Sequence, residues 1–82
     1  MITKSGFKYE ISKERLNNYE LLEYISEVDT NPLIIPKLLE ALLGKKQKQK
    51  LIEHVRDKKG LVPTEKLVEE IKEILENKDL KN

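Results

Sequence analysis

The sequence holds one histidine, His54, set in the run Glu53-His54-Val55-Arg56-Asp57. A histidine beside carboxylates is the raw material of a metal site or an acid–base pair. Read as helix, however, the run defeats that chemistry. Adjacent residues point in different directions, so Glu53 cannot join His54 at one ion, and no cysteine exists to complete a ligand set. His54 is expected to be an ordinary half-buried helical histidine. Ser5, Ser12 and Ser26 lie far from any recognisable base motif, which leaves nucleophilic catalysis without a starting point. Glu69 and Glu73 form an i, i+4 pair on the expected outer face of the last helix, where they repel mildly and are solvated. Gly6, Gly44 and Gly60 are too scattered for a dinucleotide fingerprint or a P-loop, both of which need clustered glycines so that backbone amides can approach phosphate. No enzyme, no metal and no cofactor are expected.

Charge carries a stronger signal. Sixteen basic and fifteen acidic side chains leave a net charge of +1, which lacks the excess of a chain that coats nucleic acid or an anionic membrane. The distribution is uneven: residues 1–31 sum to −2, residues 32–44 to zero, residues 45–60 to +5 and residues 61–82 to −2. Lys45, Lys46, Lys48, Lys50, Arg56, Lys58 and Lys59 supply that surplus. On a helix following a glycine turn they could meet DNA phosphates, as the second half of a helix-turn-helix does, or an acidic surface of a partner, including the acidic flanks of another copy. Within 45–59, a single arginine, no aromatic residue for stacking, and only Gln47 and Gln49 as base readers weigh against nucleic acid.

The elements that position these groups follow from periodicity. Phe7, Tyr9 and Ile11 alternate with Lys8 and Glu10 behind a Ser5-Gly6 turn, the period of a short strand or extended arm. A lone strand needs a partner, either a second segment or the same strand in another subunit. Ser12 can cap one helical turn carrying Leu16 inward. Asn18 opens a helix over about 18–29, with Tyr19, Leu22, Ile25 and Val28 at three-residue steps and Leu21 broadening the stripe. A second helix starts between Pro32 and Pro36 and presents Leu38, Leu39, Leu42 and Leu43 before a left-handed stop at Gly44. The third, over 45–59, buries Leu51, Ile52 and Val55, lies on the outside and ends at Gly60. Pro63 opens the fourth, with Leu67, Val68, Ile71, Ile74 and Leu75 on one face, fraying near Asn77. The fold class expected is mainly α: a small bundle of about four helices preceded by a short N-terminal β-strand or extended arm. It forms a single domain over 1–82, with 1–4 and 77–82 flexible.

With 82 residues, and with apolar and charged side chains at 38% each, every element must be two-faced and the core is thin. A thin core points to self-association, because burying further leucines between copies adds what one chain lacks. The absence of cysteine excludes a disulfide framework and is compatible with a reducing cytoplasm. The N-terminus has no apolar stretch of the signal-peptide kind, and the densest apolar run, LIIPKLLEALL, is short and interrupted by Lys37 and Glu40, so the chain is expected in the cytoplasm.

Taken in order, SGFKYEI, NNYELLEYISEVD, PKLLEALLG, KLIEHVRDKKG and LVPTEKLVEEI resemble small tail assembly chaperone-like proteins of phages and prophages of Gram-positive bacteria. The resemblance covers about residues 5–75. It rests on Gly6-Phe7, Asn18 and Tyr19 before Leu21-Leu22, Leu42-Leu43-Gly44, His54-Val55-Arg56, Gly60 and Val62-Pro63. It implies a non-enzymatic oligomer in the host cytoplasm that binds the tape-measure protein, keeps its apolar surface covered and helps recruit tail-tube subunits. It also implies that this chain corresponds to the shorter of two forms, the longer made by frameshifting. Leu38, Leu39, Leu42, Leu43, Leu67, Ile71, Ile74 and Leu75 are then the expected protein-binding face, although the stripe on the last helix could equally close the chain's own core. The alternatives are a small DNA-binding regulator using the basic helix at 45–59, and a structural or adaptor subunit.

Overall fold

A computed structural model describes residues 1–76. The fraying expected near Asn77 and the flexible end expected at 77–82, with Leu80, lie outside the described residues. The chain is mainly helical, and it gathers into two compact units: Glu10–Lys48, and Met1–Tyr9 together with the chain from Gln49 onward.

In the Glu10–Lys48 unit, Ser12 caps a single turn, α1 (Lys13–Leu16), by accepting from the Arg15 backbone N–H at 3.2 Å. Asn18 caps α2 (Tyr19–Glu27), its Oδ1 accepting from the Glu20 N–H at 3.1 Å. After α2 the chain turns on bonds from the Thr30 and Asn31 N–H groups to the Glu27 carbonyl, and a 3-10 turn at Pro32–Ile34 packs against α2. It runs directly into α3 (Ile35–Val55), so the region between Pro32 and Pro36 contains the helix start, as expected. Leu21, Ile35, Leu38, Leu39, Leu42 and Leu43 are the buried apolar side chains of this unit.

The stripe on α2 differs from expectation. Leu21 is buried, Tyr24, Ile25 and Val28 are half-buried, and Tyr19 and Leu22 face solvent. Steps of three residues drift backward around a helix of 3.6 residues per turn, so four residues spaced that way cannot share a face. Leu21, Ile25 and Val28, at i, i+4 and i+7, can. Leu16, expected inward, is also exposed, because one isolated turn does not carry it into the core.

α3 is broken at Gly44, whose φ of 82° and ψ of 163° are non-helical. The left-handed stop expected there is therefore a different conformation, positive in φ but extended in ψ, a region that essentially only glycine occupies. It ends one helical segment and lets the next start at once.

In the other unit no β-strand forms among the described residues, and the expected N-terminal strand is replaced by a tight reversal with a single antiparallel bridge between Ile2 and Lys8. Thr3 N–H donates to the Phe7 carbonyl at 2.9 Å, Gly6 N–H to the Thr3 carbonyl at 3.0 Å and Tyr9 N–H to the Met1 carbonyl at 3.0 Å. The partner sought for the strand is thus Met1–Thr3 of the same chain. The Thr3 hydroxyl accepts from the Phe7 N–H at 3.2 Å, so a side chain takes over what a ladder would have bonded. The alternation itself holds: Phe7 and Tyr9 are buried and stacked with ring centroids 6.0 Å apart, while Lys8 and Glu10 are exposed. Residues 1–4, expected to be flexible, include the buried Thr3.

α3 ends at Val55 rather than at Lys59. Asp57 Oδ1 accepts from the N–H groups of Lys59 and Leu61, both at 2.9 Å, and Gly60 N–H bonds the Asp57 carbonyl at 3.0 Å. An aspartate that captures nearby amides offers the backbone an alternative to helix. α4 (Thr64–Glu76) follows, with the Pro63 carbonyl accepting from the Lys66 and Leu67 N–H groups at 3.1 and 3.3 Å. Leu51, Val55, Ile71 and Ile74 join Phe7 and Tyr9 as buried apolar residues, and Leu67, Val68 and Leu75 are half-buried. Among the described residues no helix is long and apolar enough to cross a membrane.

Candidate functional site

The polar centre of the Met1–Tyr9/Gln49-onward unit is Glu70, whose position at i+3 from Leu67 and i−4 from Ile74 places it within the apolar stripe of α4. It is 7% exposed. Its Oε1 accepts from the Thr3 hydroxyl at 2.8 Å and from the Ser5 hydroxyl at 3.0 Å. Ser5 Oγ also meets His54 Nε2 at 3.0 Å, and the His54 ring lies 5.6 Å from the Phe7 ring, centroid to centroid. Beside it, Glu73 accepts from the Lys4 backbone N–H at 2.6 Å, so the glutamate expected to be merely solvated anchors the N-terminal turn. Ser5, His54 and Glu70 open onto a cavity of about 360 Å³ that Arg56, Lys66 and Glu69 also line.

A serine, a histidine and a glutamate within hydrogen-bond reach invite comparison with a nucleophilic triad. Proton bookkeeping argues otherwise. A carboxylate only accepts, so Ser5 must give its single hydroxyl hydrogen to Glu70, and the His54 contact then requires Nε2–H to donate to Ser5. In a triad the serine gives its proton to the histidine and the acid orients the far ring nitrogen. Here the glutamate draws the serine proton away from the histidine. The arrangement fastens the N-terminal turn to α4 and α3, and His54 is exposed rather than half-buried. No group of three metal-ligating side chains occurs among the described residues.

In the Glu10–Lys48 unit the Gly44 break is the focus. Arg15 Nη1 donates to the Glu40 carbonyl at 3.2 Å, with a longer contact of 3.5 Å to the Ala41 carbonyl. A cation is thereby set on the carbonyls that the end of a helical segment leaves unpaired. Gln47 grips the extended chain at Glu10 through both halves of its amide. Oε1 accepts from the Glu10 N–H, and Nε2 donates to the Glu10 carbonyl, both at 2.7 Å. Nε2 also bonds the Leu43 carbonyl at 2.8 Å. An open groove of about 780 Å³ runs past Ile11, Arg15, Glu40, Gly44 and Lys46.

The residues expected to bind partners are placed differently from one another. Leu38, Leu39, Leu42, Leu43, Ile71 and Ile74 are buried in the chain's own packing, and Leu67 and Leu75 are half-buried. The apolar faces expected to meet a partner therefore serve the interior of each unit. The basic array is interrupted. Lys48 is half-buried and paired with Glu40 at 3.7 Å, while Lys45, Lys46 and Lys50 are exposed on α3. Lys58 and Lys59 belong to the turn after α3. Arg56 binds Glu53 through Nε at 2.9 Å and Nη2 at 3.0 Å, and it reaches the Gly60 carbonyl through Nη1 at 2.6 Å. That hydrogen-bonded pairing holds the Glu53 carboxyl below its usual range and raises Arg56 further.

Sequence reasoning missed an exposed apolar set. Leu33 is 86% exposed, Tyr19 67%, Leu61 63% and Leu22 60%. The four-residue spacing of Leu21 and Ile25 is the signal that could have separated Tyr19 and Leu22 from the buried stripe.

Comparisons with family models, with curated proteins and with solved structures give no match.

Proposed function

We propose that this chain is a non-enzymatic tail-morphogenesis factor of the tail assembly chaperone kind, which works by covering apolar surface on a tape-measure protein. The observation that carries this reading is the exposure of Leu33, Tyr19, Leu61 and Leu22 on a chain that buries its other leucine faces. Large apolar side chains left in water on a highly charged chain suit association with another protein. The serine, histidine and glutamate that could have done chemistry are spent on fastening one turn. The partner's identity comes from the resemblance of SGFKYEI, NNYELLEYISEVD and LVPTEKLVEEI to such chaperones.

The test is co-expression with the tape-measure protein encoded in the same genome. Co-purification, and a larger soluble fraction of the tape-measure protein, support the proposal; neither effect in the presence of folded chaperone sinks it. A titration against duplex DNA at two salt concentrations separates the regulator alternative, since binding through several phosphates weakens steeply with salt.

A further inference from the structure

Two exposed features complement one another. The first lies on the Glu10–Lys48 unit. From Asn17 to Pro36 the chain carries Glu20, Glu23, Glu27 and Asp29 and no lysine or arginine. On α2, Tyr19 and Leu22 stand out one turn apart, and Glu23 and Glu27 continue the line of Tyr19 at i+4 and i+8. Among the described residues none of these four carboxylates is ion-paired. Such a face repels a second face like itself, so α2 against α2 is disfavoured and its complement must be cationic as well as apolar.

The second feature, on the other unit, is the turn after α3. It presents Lys58, Lys59 and Leu61 to solvent. The turn is held in shape: Asp57 Oδ1 accepts from Lys59 and Leu61 N–H, Asp57 N–H donates to the Leu61 carbonyl at 2.8 Å, and Arg56 grips the Gly60 carbonyl. Glu53 and Asp57, the nearby carboxylates, are both already engaged. A cationic, apolar-tipped turn that is rigid before binding loses little conformational freedom on docking.

We infer that the acidic α2 face of one copy receives the Lys58–Leu61 turn of a second copy. Leu61 packs on Tyr19 and Leu22, and Lys58 and Lys59 meet Glu23 and Glu27. Each copy offers one face and one turn, so copies satisfy both either in a reciprocal pair or in a head-to-tail series. This contact uses three of the four exposed side chains on which the tape-measure reading rests, Tyr19, Leu22 and Leu61, so sedimentation of the chain alone tests the contact and co-expression tests that reading.

The experiment is sedimentation of the full chain across concentration at low and high salt, with two neutralised variants. The face variant carries Y19S, L22S, E23Q and E27Q; the turn variant carries K58Q, K59Q and L61S. Wild type is expected to form a dimer or larger species, with association weakened roughly tenfold or more at high salt because solvent-exposed charges are screened. Each variant alone is expected to be monomeric, and an equimolar mixture to give a one-to-one complex and nothing larger, since it holds one intact face and one intact turn. Circular dichroism checks that both variants are helical. If the face variant unfolds, E23Q with E27Q alone must still weaken assembly. A wild type that is monomeric throughout, a variant that assembles like wild type, or assembly insensitive to salt overturns the inference. So does a monomeric wild type whose α2 face captures a synthetic amphipathic Leu/Lys peptide, which would give the face to a foreign cationic helix.

Discussion

Arg15 lies across Gly44: a Cβ built at position 44 would come within 2.7 Å of Arg15 Nη2, and the same guanidinium bonds the Glu40 carbonyl at 3.2 Å. The break in α3 and the side chain that seals it are one device. Glycine is needed for its backbone conformation, and an added Cβ would also push the mobile end of Arg15 off the Glu40 carbonyl.

Gly44→Ala is therefore expected to destabilise the fold by about 1–3 kcal/mol, the cost of holding a non-glycine residue in that region of φ and ψ. Urea titration measures it. Gly6→Ala, at a positive φ but with open space around the site, supplies a comparison free of steric contact. A loss at Gly44 no larger than at Gly6 would remove the role given to Arg15.

Gln47→Ala leaves the Glu10 backbone without its paired bonds. The expected loss is on the order of 1–2 kcal/mol, since both lost partners are partly open to water and each net hydrogen bond is modest. Faster amide exchange at Glu10 is the specific readout, because that N–H bonds Gln47 Oε1 at 2.7 Å.

Glu70→Leu removes the acceptor of a buried threonine hydroxyl and is expected to cost about 1–3 kcal/mol. Glu70→Gln keeps an acceptor oxygen and should lose less. Thr3→Val and Glu70→Leu together should cost less than the sum of the two single losses, because both delete the same 2.8 Å bond, while the Phe7 N–H loses its acceptor whenever Thr3 is replaced. A thermal-unfolding double-mutant cycle tests this; additive losses would deny the coupling.

Glu53 gives a pH dependence of defined sign. The Arg56 hydrogen bond lowers its pKa in the folded chain, so its contribution to stability is fully present above the usual glutamate range and is lost as pH falls through the lowered value. Melting of wild type and Glu53→Gln should differ at neutral pH and converge in acid. The pair is exposed, so high salt should shrink the difference too. A gap that widens in acid would contradict the assignment.

Helix positions were legible because their signals are local. Ser12 and Asn18 cap within three residues of themselves, Pro63 opens α4, and Gly44 marks a break that needs its missing side chain. The Lys58–Leu61 turn was legible in principle, since Asp57 and Gly60 are turn residues. The lysines favour a helix end there, but the Asp57 side chain competes for the backbone amides and ends the helix sooner. The strand failed for a different reason: alternation fixes which side chains are buried, but not whether a neighbouring strand exists to bond the backbone.

Glu70 marks the boundary between local and global information. Its oxygen serves Thr3, 67 residues away in the chain, and the spacing of α4, which sets Glu70 beside the apolar stripe, does not supply that bonding partner. The same holds for Ser5 and His54, far apart in the chain and brought within 3.0 Å of one another only by the fold. Composition and periodicity were enough for a mainly helical chain with its charge concentrated in one stretch, because backbone propensity and amphipathic spacing act over a few residues. Which leucines remain in water, and which polar groups become anchors, depends on distances closed only when remote segments pack. That is why the leucine faces of α3 and α4 turned inward while Tyr19, Leu22, Leu33 and Leu61 stay in water.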